Sequence, residues 1–339
     1  MFHVKHRGHA GNVLVVPEVL KTPCGNASLL RDIGQGKNGS LVTTQPVDAN
    51  DDECTSPMRV GDVPPFDHPA SVRVIAIANQ KGGVGKTTTA VNLAASLALG
   101  GLLVMIIDLD PQGNACTALG VAHDHEQPSM YEVMVEDGEL ADAVESAADI
   151  EGLRVARSTI DLAGAEVELV PRDRREFVLA AALTEYLAHE GAKLDYVLID
   201  CPPSLGLLTI NALVAAKEVL IPIQCEYYAL EGLGQLLKVV ELTKPLNPEL
   251  SVSAILLTMF DGRTRLAAQV ADEVRQHFPD TVLSTAIPRS VRLSEAPGYG
   301  QSVLTYDPAS SGARAYLAAA AELTRADEMA ALRAMAPRL

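Results

Sequence analysis

The sequence predicts a doubly wound α/β fold with a mostly parallel sheet flanked by helices. Short, continuous apolar runs of strand length recur along the chain, and most are followed by longer stretches whose apolar residues return at helical spacing. Strands that are apolar on both faces need cover on both faces, which helical crossovers between parallel strands provide. Glycines crowd between the first run and the first helix, where sheets of this class form a ligand-binding turn.

The runs expected as strands are Val74 to Ala78, Leu102 to Ile107, Tyr196 to Ile199, Val219 to Ile223 and Ser253 to Leu257. The helical stretches between and after them are Lys86 to Leu99, Leu205 to Ala216, Leu230 to Thr243 and Leu266 to Phe278. From Ala313 onward the chain is alanine-rich and expected to pack as a helix on the sheet. Residues 1–70 have a different texture, with many Gly, Asn, Ser and Pro and little periodic apolar surface. They are expected to form a disordered or loosely ordered extension ahead of one folded unit over 71–327, with a tail over 328–339.

The 339 residues carry 27 Lys and Arg against 43 Asp and Glu, a net charge of −16, which excludes a globally basic nucleic-acid coat and leaves only a local patch. Aromatics make up 4% and Trp is absent, so the core must rest on Leu, Val, Ile and Ala. The five cysteines are scattered without a CxxC pair, which points to neither a zinc site nor a disulfide framework and fits a reducing cytosol. The apolar run Val13 to Val16 is stopped by Pro17, too short for a signal peptide, and no stretch approaches the ~20 apolar residues of a membrane span. A cytoplasmic protein is expected.

The strongest chemical signal is Asn79-Gln-Lys-Gly-Gly-Val-Gly-Lys-Thr-Thr-Thr89, between the first strand and the first helix. Glycines let successive N–H groups point inward, and the helix adds its positive end, so Gly82, Gly83, Val84, Gly85, Lys86, Thr87 and Thr88 form a polyphosphate cradle, while Lys81 is either surplus surface charge or aimed elsewhere. Lys86 would reach the β- and γ-phosphates of ATP, and the Thr87 hydroxyl would ligate Mg²⁺. Asp108 and Asp110 follow the second run and Asp200 ends the third. All three acids thus sit at carboxyl ends of strands, where ligands bind. Asp200 has the strand-then-acid arrangement that fixes a Mg²⁺ water. Cys201 beside it is expected as a small buried residue, because phosphoryl transfer to water needs no covalent step.

The strict GxxxxGK[ST] pattern fails at Gln80, and a second lysine, Lys81, stands next to it. The resulting KGGxGKT form resembles the deviant Walker A motif of ParA/Soj-like ATPases, a branch related to MinD. The resemblance spans about 72–325 and includes Asp108 to Asn114, Leu198 to Ser204, Gln224 to Gly232, Thr258 to Thr264 and Ile287 to Pro297. It implies that Asp110 orients the attacking water with Asp108 in support at the metal, and that Lys81 crosses to the nucleotide of a partner subunit. The enzyme would then be a homodimer when ATP-bound, with Gly82 at the junction. It further implies that Pro288 and its neighbours face the adenine, although Ser290 stands where Asn is common in the family.

The same resemblance implies nonspecific binding of double-stranded DNA by the ATP dimer, a nucleoid-associated location and a ParB-like centromere-binding partner that stimulates hydrolysis. Between Asp261 and Arg314 basic and acidic residues balance; Arg263, Arg289 and Arg292 are the candidate phosphate contacts. A MinD-like membrane-associated positioning ATPase is the alternative. It would need a basic amphipathic C-terminal helix, and the stretch Met329 to Pro337 offers only Leu332 and two methionines, so stable membrane association is not expected. An iron–sulfur carrier would need two cysteines in cluster-ligand settings, and neither Cys116 nor Cys201 stands in one.

Overall fold

The computed structural model describes residues 63–189, 193–227 and 229–335, with only the backbone course given for 326–335. Eight strands form one sheet: β1 (Arg73–Ile77), β2 (Val104–Asp108), β3 (Val144–Ser146), β4 (Leu153–Ala156), β5 (Tyr196–Asp200), β6 (Glu218–Gln224), β7 (Ser251–Phe260) and β8 (Val282–Pro288). Their order across the sheet is β3-β4-β2-β5-β1-β6-β7-β8, and every pair is parallel except β3 with β4. The helices are α1 (Lys86–Leu99), α2 (Asn114–Ala118), α3 (Met130–Val135), α4 (Leu140–Ala143), α5 (Leu162–Glu168), α6 (Val178–His189), α7 (Leu207–Ala215), α8 (Ala229–Thr243), α9 (Arg265–His277), α10 (Val291–Glu295), α11 (Val303–Tyr306) and α12 (Ser311–Met335).

Two apolar cores lie on opposite faces of the sheet, because neighbouring side chains of each central strand point to opposite sides. Ile75, Ile77, Val104 and Ile106 pack with α1 and α12 on one face, whereas Val74, Ala76, Met105 and Ile107 pack with residues of α6, α7 and α8 on the other. Every residue of β1, β2 and β5 is buried, as their unbroken apolar runs require.

The five expected strands and four expected helices are present, with α1 running over Lys86–Leu99 as read from the sequence. Three strands escaped that reading. β3 is a three-residue edge strand, β4 beside it has only four residues, and β8 at the other edge is only partly buried. The expected boundary at residue 70 is too late. Phe66 N–H donates to Gly100 O at 2.9 Å, Phe66 packs on the core, and His68 Nδ1 lies 2.8 Å from Asp195 Oδ1. The rest of the expected extension, 1–62, lies outside the described residues. At the other end α12 runs through 328 without a break up to Met335, so no structural boundary separates a tail there, and 336–339 lie outside the described residues. No helix among the described residues is long and apolar enough to cross a membrane.

Candidate functional site

β1 delivers the chain into a loop over 78–85 that opens directly into α1. Gly83 and Gly85 have φ of +75° and +88°, a region costly for residues with a Cβ. No side chain caps α1, so its first N–H groups remain available to an anion. Two buried side chains tie the loop to the sheet. Asn79 Nδ2 donates to Pro222 O at 2.7 Å while its Oδ1 accepts from Lys81 N–H at 3.0 Å, and Thr258 Oγ1 donates to Val84 O at 2.8 Å.

The adjacent β2 and β5 place Asp108 beside Asp200 in register, and both carboxyls are fully buried. Asp108 Oδ2 accepts from Ala115 and Cys116 N–H at 3.1 and 3.3 Å, and its Oδ1 accepts from Asp110 N–H at 3.1 Å. The carboxylate thereby fixes the turn that carries Asp110 and the start of α2. Burial nevertheless pushes its pKa up to about 6, against the opposing pull of these donors. Both Asp200 oxygens are buried without a hydrogen-bond partner. Burial, then the Asp108 charge, raise its pKa well above the carboxylate range, while Thr87 and Lys86 pull the other way.

Lys86 is buried; desolvation lowers its pKa, and Asp200, Cys201 and Asp110 partly offset this. One ammonium thus stands among buried acids in a pocket short of positive charge. A divalent cation beside Thr87 and Asp200 fits that deficit and would give the orphaned oxygens a partner. No group of three or more His, Cys, Asp or Glu among the described residues forms a cage. Mg²⁺ is held by one or two carboxylates together with waters and substrate phosphates. The buried Cys201 thiol is pushed up first by desolvation, so it is a poor nucleophile.

A cavity of about 530 Å³ opens over this floor, lined by Gly82, Gly83, Gly85, Lys86, Thr87 and Thr88 on the loop side and by Asp110, Gln112 and Asn114 across from it. Its far wall is Met259, Ala296, Pro297 and Gln301. Pro288, expected against the base, is not part of this lining. It ends β8, and the chain passes through α10 before the turn Ala296–Tyr299 comes back onto α2. A mutual glycine contact permits that approach: a Cβ on Gly300 would lie 3.1 Å from Gly120 Cα, and one on Gly120 would lie 3.3 Å from Gly300 O.

Lys81 does not line the cavity. Its Nζ lies 2.5 Å from Glu226 Oε2, at an exposed position beyond the end of β6, and Gln224 Nε2 donates to the other oxygen of the same carboxylate. Gly82 has no positive φ, and a Cβ built on it would meet nothing within 4 Å. Among the described residues nothing requires glycine there, in contrast to Gly83 and Gly85.

The three arginines lie just past the carboxyl ends of β7 and β8, and Arg289 N–H donates to Phe260 O at 3.2 Å. They are exposed but not all unpaired. Arg263 grips Asp261 with Nε and Nη2, both at 2.8 Å, and hydrogen bonding from Arg263 lowers the Asp261 pKa to about 2. Arg292 pairs with Glu295 at 3.0 Å and Asp307 at 3.1 Å. Glu226, Thr258, Asn79 and Met259 were not singled out from the sequence. Glu226 and Thr258 stand inside family-like segments, but their roles depend on which strand ends lie beside the loop.

A family model described as an AAA domain matches residues 72–252. The chain is 52% identical over 252 residues to the sporulation initiation inhibitor protein Soj of Bacillus subtilis, a match covering 74% of this chain and 98% of that protein. It is 51% identical over 256 residues to the chromosome partitioning protein ParA of Myxococcus xanthus, covering 75% and 89%. The crystal structure of cobyrinic acid a,c-diamide synthase from Mycobacterium smegmatis with bound ADP and magnesium matches with a TM-score of 0.64 at 36% identity, covering 79% of this chain and 98% of that one. The phosphate loop, the buried acids at neighbouring strand ends and these likenesses agree: the chain belongs to the ParA/Soj family of chromosome-partitioning ATPases.

Proposed function

We propose that this ATPase is a nucleotide-switched partitioning protein. ATP closes two copies face to face, the closed pair holds double-stranded DNA without sequence preference, and hydrolysis to ADP and phosphate, stimulated by a ParB-like partner, releases it. The orphaned Asp200 carboxylate beside Lys86 and Thr87, under a cavity rimmed by the phosphate loop, carries this reading. The ADP and magnesium of the mycobacterial relative support the same occupancy here.

Each residue then has a physical task. The loop N–H groups and the open end of α1 receive the phosphates, and Lys86 neutralises charge on the β- and γ-oxygens. Thr87 and Asp200 would hold Mg²⁺, with Asp108 bracing the turn next to them; when bound, the ion supplies charge neutralisation to the phosphate oxygens. Asp110, in the cavity wall, orients the attacking water. Its own backbone is fixed by Asp108 and by Ser158 Oγ, which donates to Asp110 O at 2.8 Å. That rigidity matters because a small displacement of the water forfeits the in-line approach.

Lys81 completes the partner's site in the closed pair. In the single chain it is held by Glu226, an exposed ion pair worth about 0–1 kcal/mol, so exchanging Glu226 for a triphosphate across the interface costs little. Gly82, which has open space around it in the single chain, would lie at the junction of the two copies. At the arginine edge, Asp261, Glu295 and Asp307 must yield their partners for phosphates to bind, and DNA affinity is accordingly modest and salt-sensitive.

The test is sedimentation on double-stranded DNA with ATP, with ADP and without nucleotide, alongside analytical ultracentrifugation. Dimerisation and DNA retention are expected with ATP alone. A monomer that stays monomeric with ATP and Mg²⁺ overturns the switch.

A further inference from the structure

The phosphate loop carries its two left-handed glycines on either side of Val84. Glycine on both flanks leaves little intrinsic preference for which way the neighbouring peptide planes face. In a trans peptide the C=O and N–H point in opposite directions, so the orientation of Val84 O decides which way the Gly85 N–H points. A flipped plane would turn a carbonyl dipole toward bound phosphate and remove a donor. Something outside the loop must choose.

We propose that Thr258 makes that choice and is a positioning residue for nucleotide binding. It sits at the end of β7, paired with Gln224 of β6, and is 2% exposed. Its hydroxyl donates to Val84 O at 2.8 Å across 174 residues of sequence, and Val84 is itself buried. The carbonyl is thus drawn toward β7, and the Gly85 N–H is left on the opposite side. The next residue, Met259, has φ of +49° and lines the nucleotide cavity. Left-handed backbone at a residue with a long side chain persists only where neighbours over-determine it. The end of β7 therefore serves the site twice, with Thr258 holding the loop from beneath and Met259 forming wall.

The inference rests on the ATP reading above and is tested by titrating ATP and ADP into the wild type, Thr258→Val and Thr258→Ser, with melting of each nucleotide-free protein as a control. Valine keeps the shape and removes the donor, stranding a buried carbonyl. Thr258→Val is expected to weaken ATP and ADP alike by about tenfold. It should raise KM by a similar factor with kcat at saturation within about twofold, as loss of uniform binding does. Thr258→Ser should restore both. A purely structural threonine would lower the melting temperature and leave nucleotide affinity unchanged, and that result overturns the proposal, as does a serine variant no better than valine. Wild type that binds neither nucleotide overturns the reading of the site and this inference with it.

Discussion

The phosphate loop and the arginine edge both lie at the carboxyl ends of parallel strands, yet they are built on opposite principles. The loop is tied by the buried side chains of Asn79 and Thr258, and buried acids surround the Lys86 ammonium. At the edge Arg263 is 90% exposed in its side chain and its charge is already spent on Asp261. Geometry over-determines the first region, so single substitutions there carry large consequences. Competition among solvated charges governs the second, where each contact is worth little. The proposed switch would use both kinds of region, a rigid site to read the nucleotide and a loose surface to let go of DNA.

The contrast can be broken or sharpened by experiment. Lys81→Ala is expected to cut partner-stimulated ATP turnover by about 10³-fold or more while single-chain nucleotide affinity holds, since charge supplied in trans acts on the transition state; turnover assays with nucleotide titration check it. Asp200→Asn should raise the Mg²⁺ needed for half-maximal turnover by about 10–100-fold, measured by metal titration of the ATPase. Glu226→Gln removes the charge that holds Lys81 and should tighten ATP-dependent dimerisation by no more than about fivefold; sedimentation equilibrium would detect a change in either direction. The smallest effect is expected at the edge. Arg263→Ala and Arg292→Ala should each lower DNA affinity a few-fold and reduce the magnitude of the salt slope by about 1, with ATPase intact. A single arginine whose loss abolished DNA retention would make the edge a built site like the loop and erase the distinction.

Position in the sequence tracks how much of this was legible beforehand. Where function depends on local succession, as in Ile77-Ala-Asn-Gln-Lys-Gly-Gly-Val-Gly-Lys86, the residues state both the turn and its chemistry. The place of Asp200 at a buried strand end was readable because an apolar run ends on it. Which residues wall the cavity opposite the loop was not readable, because that depends on how far α10 carries the chain before Ala296 and Pro297 return to α2. The edge strands β3 and β8 lack a continuous apolar signal because each is covered incompletely, and β4, paired on both sides, escaped because it is only four residues long and is interrupted by Arg154.

By itself the sequence determined the alternation of strands and helices, the phosphate loop and the acids at strand ends, because these follow from side-chain periodicity and from residues adjacent in the chain. Only the tertiary structure decided that Glu226 holds Lys81, that Thr258 reaches Val84 and that Asp108 spends its oxygens on backbone amides while Asp200 keeps its own free. Those pairings, apart from the short-range ones around Asp108, join residues far apart in sequence. They exist because β6 is laid beside β1 and β7 beside β6, and because burial strips water from groups whose partners the fold alone can supply.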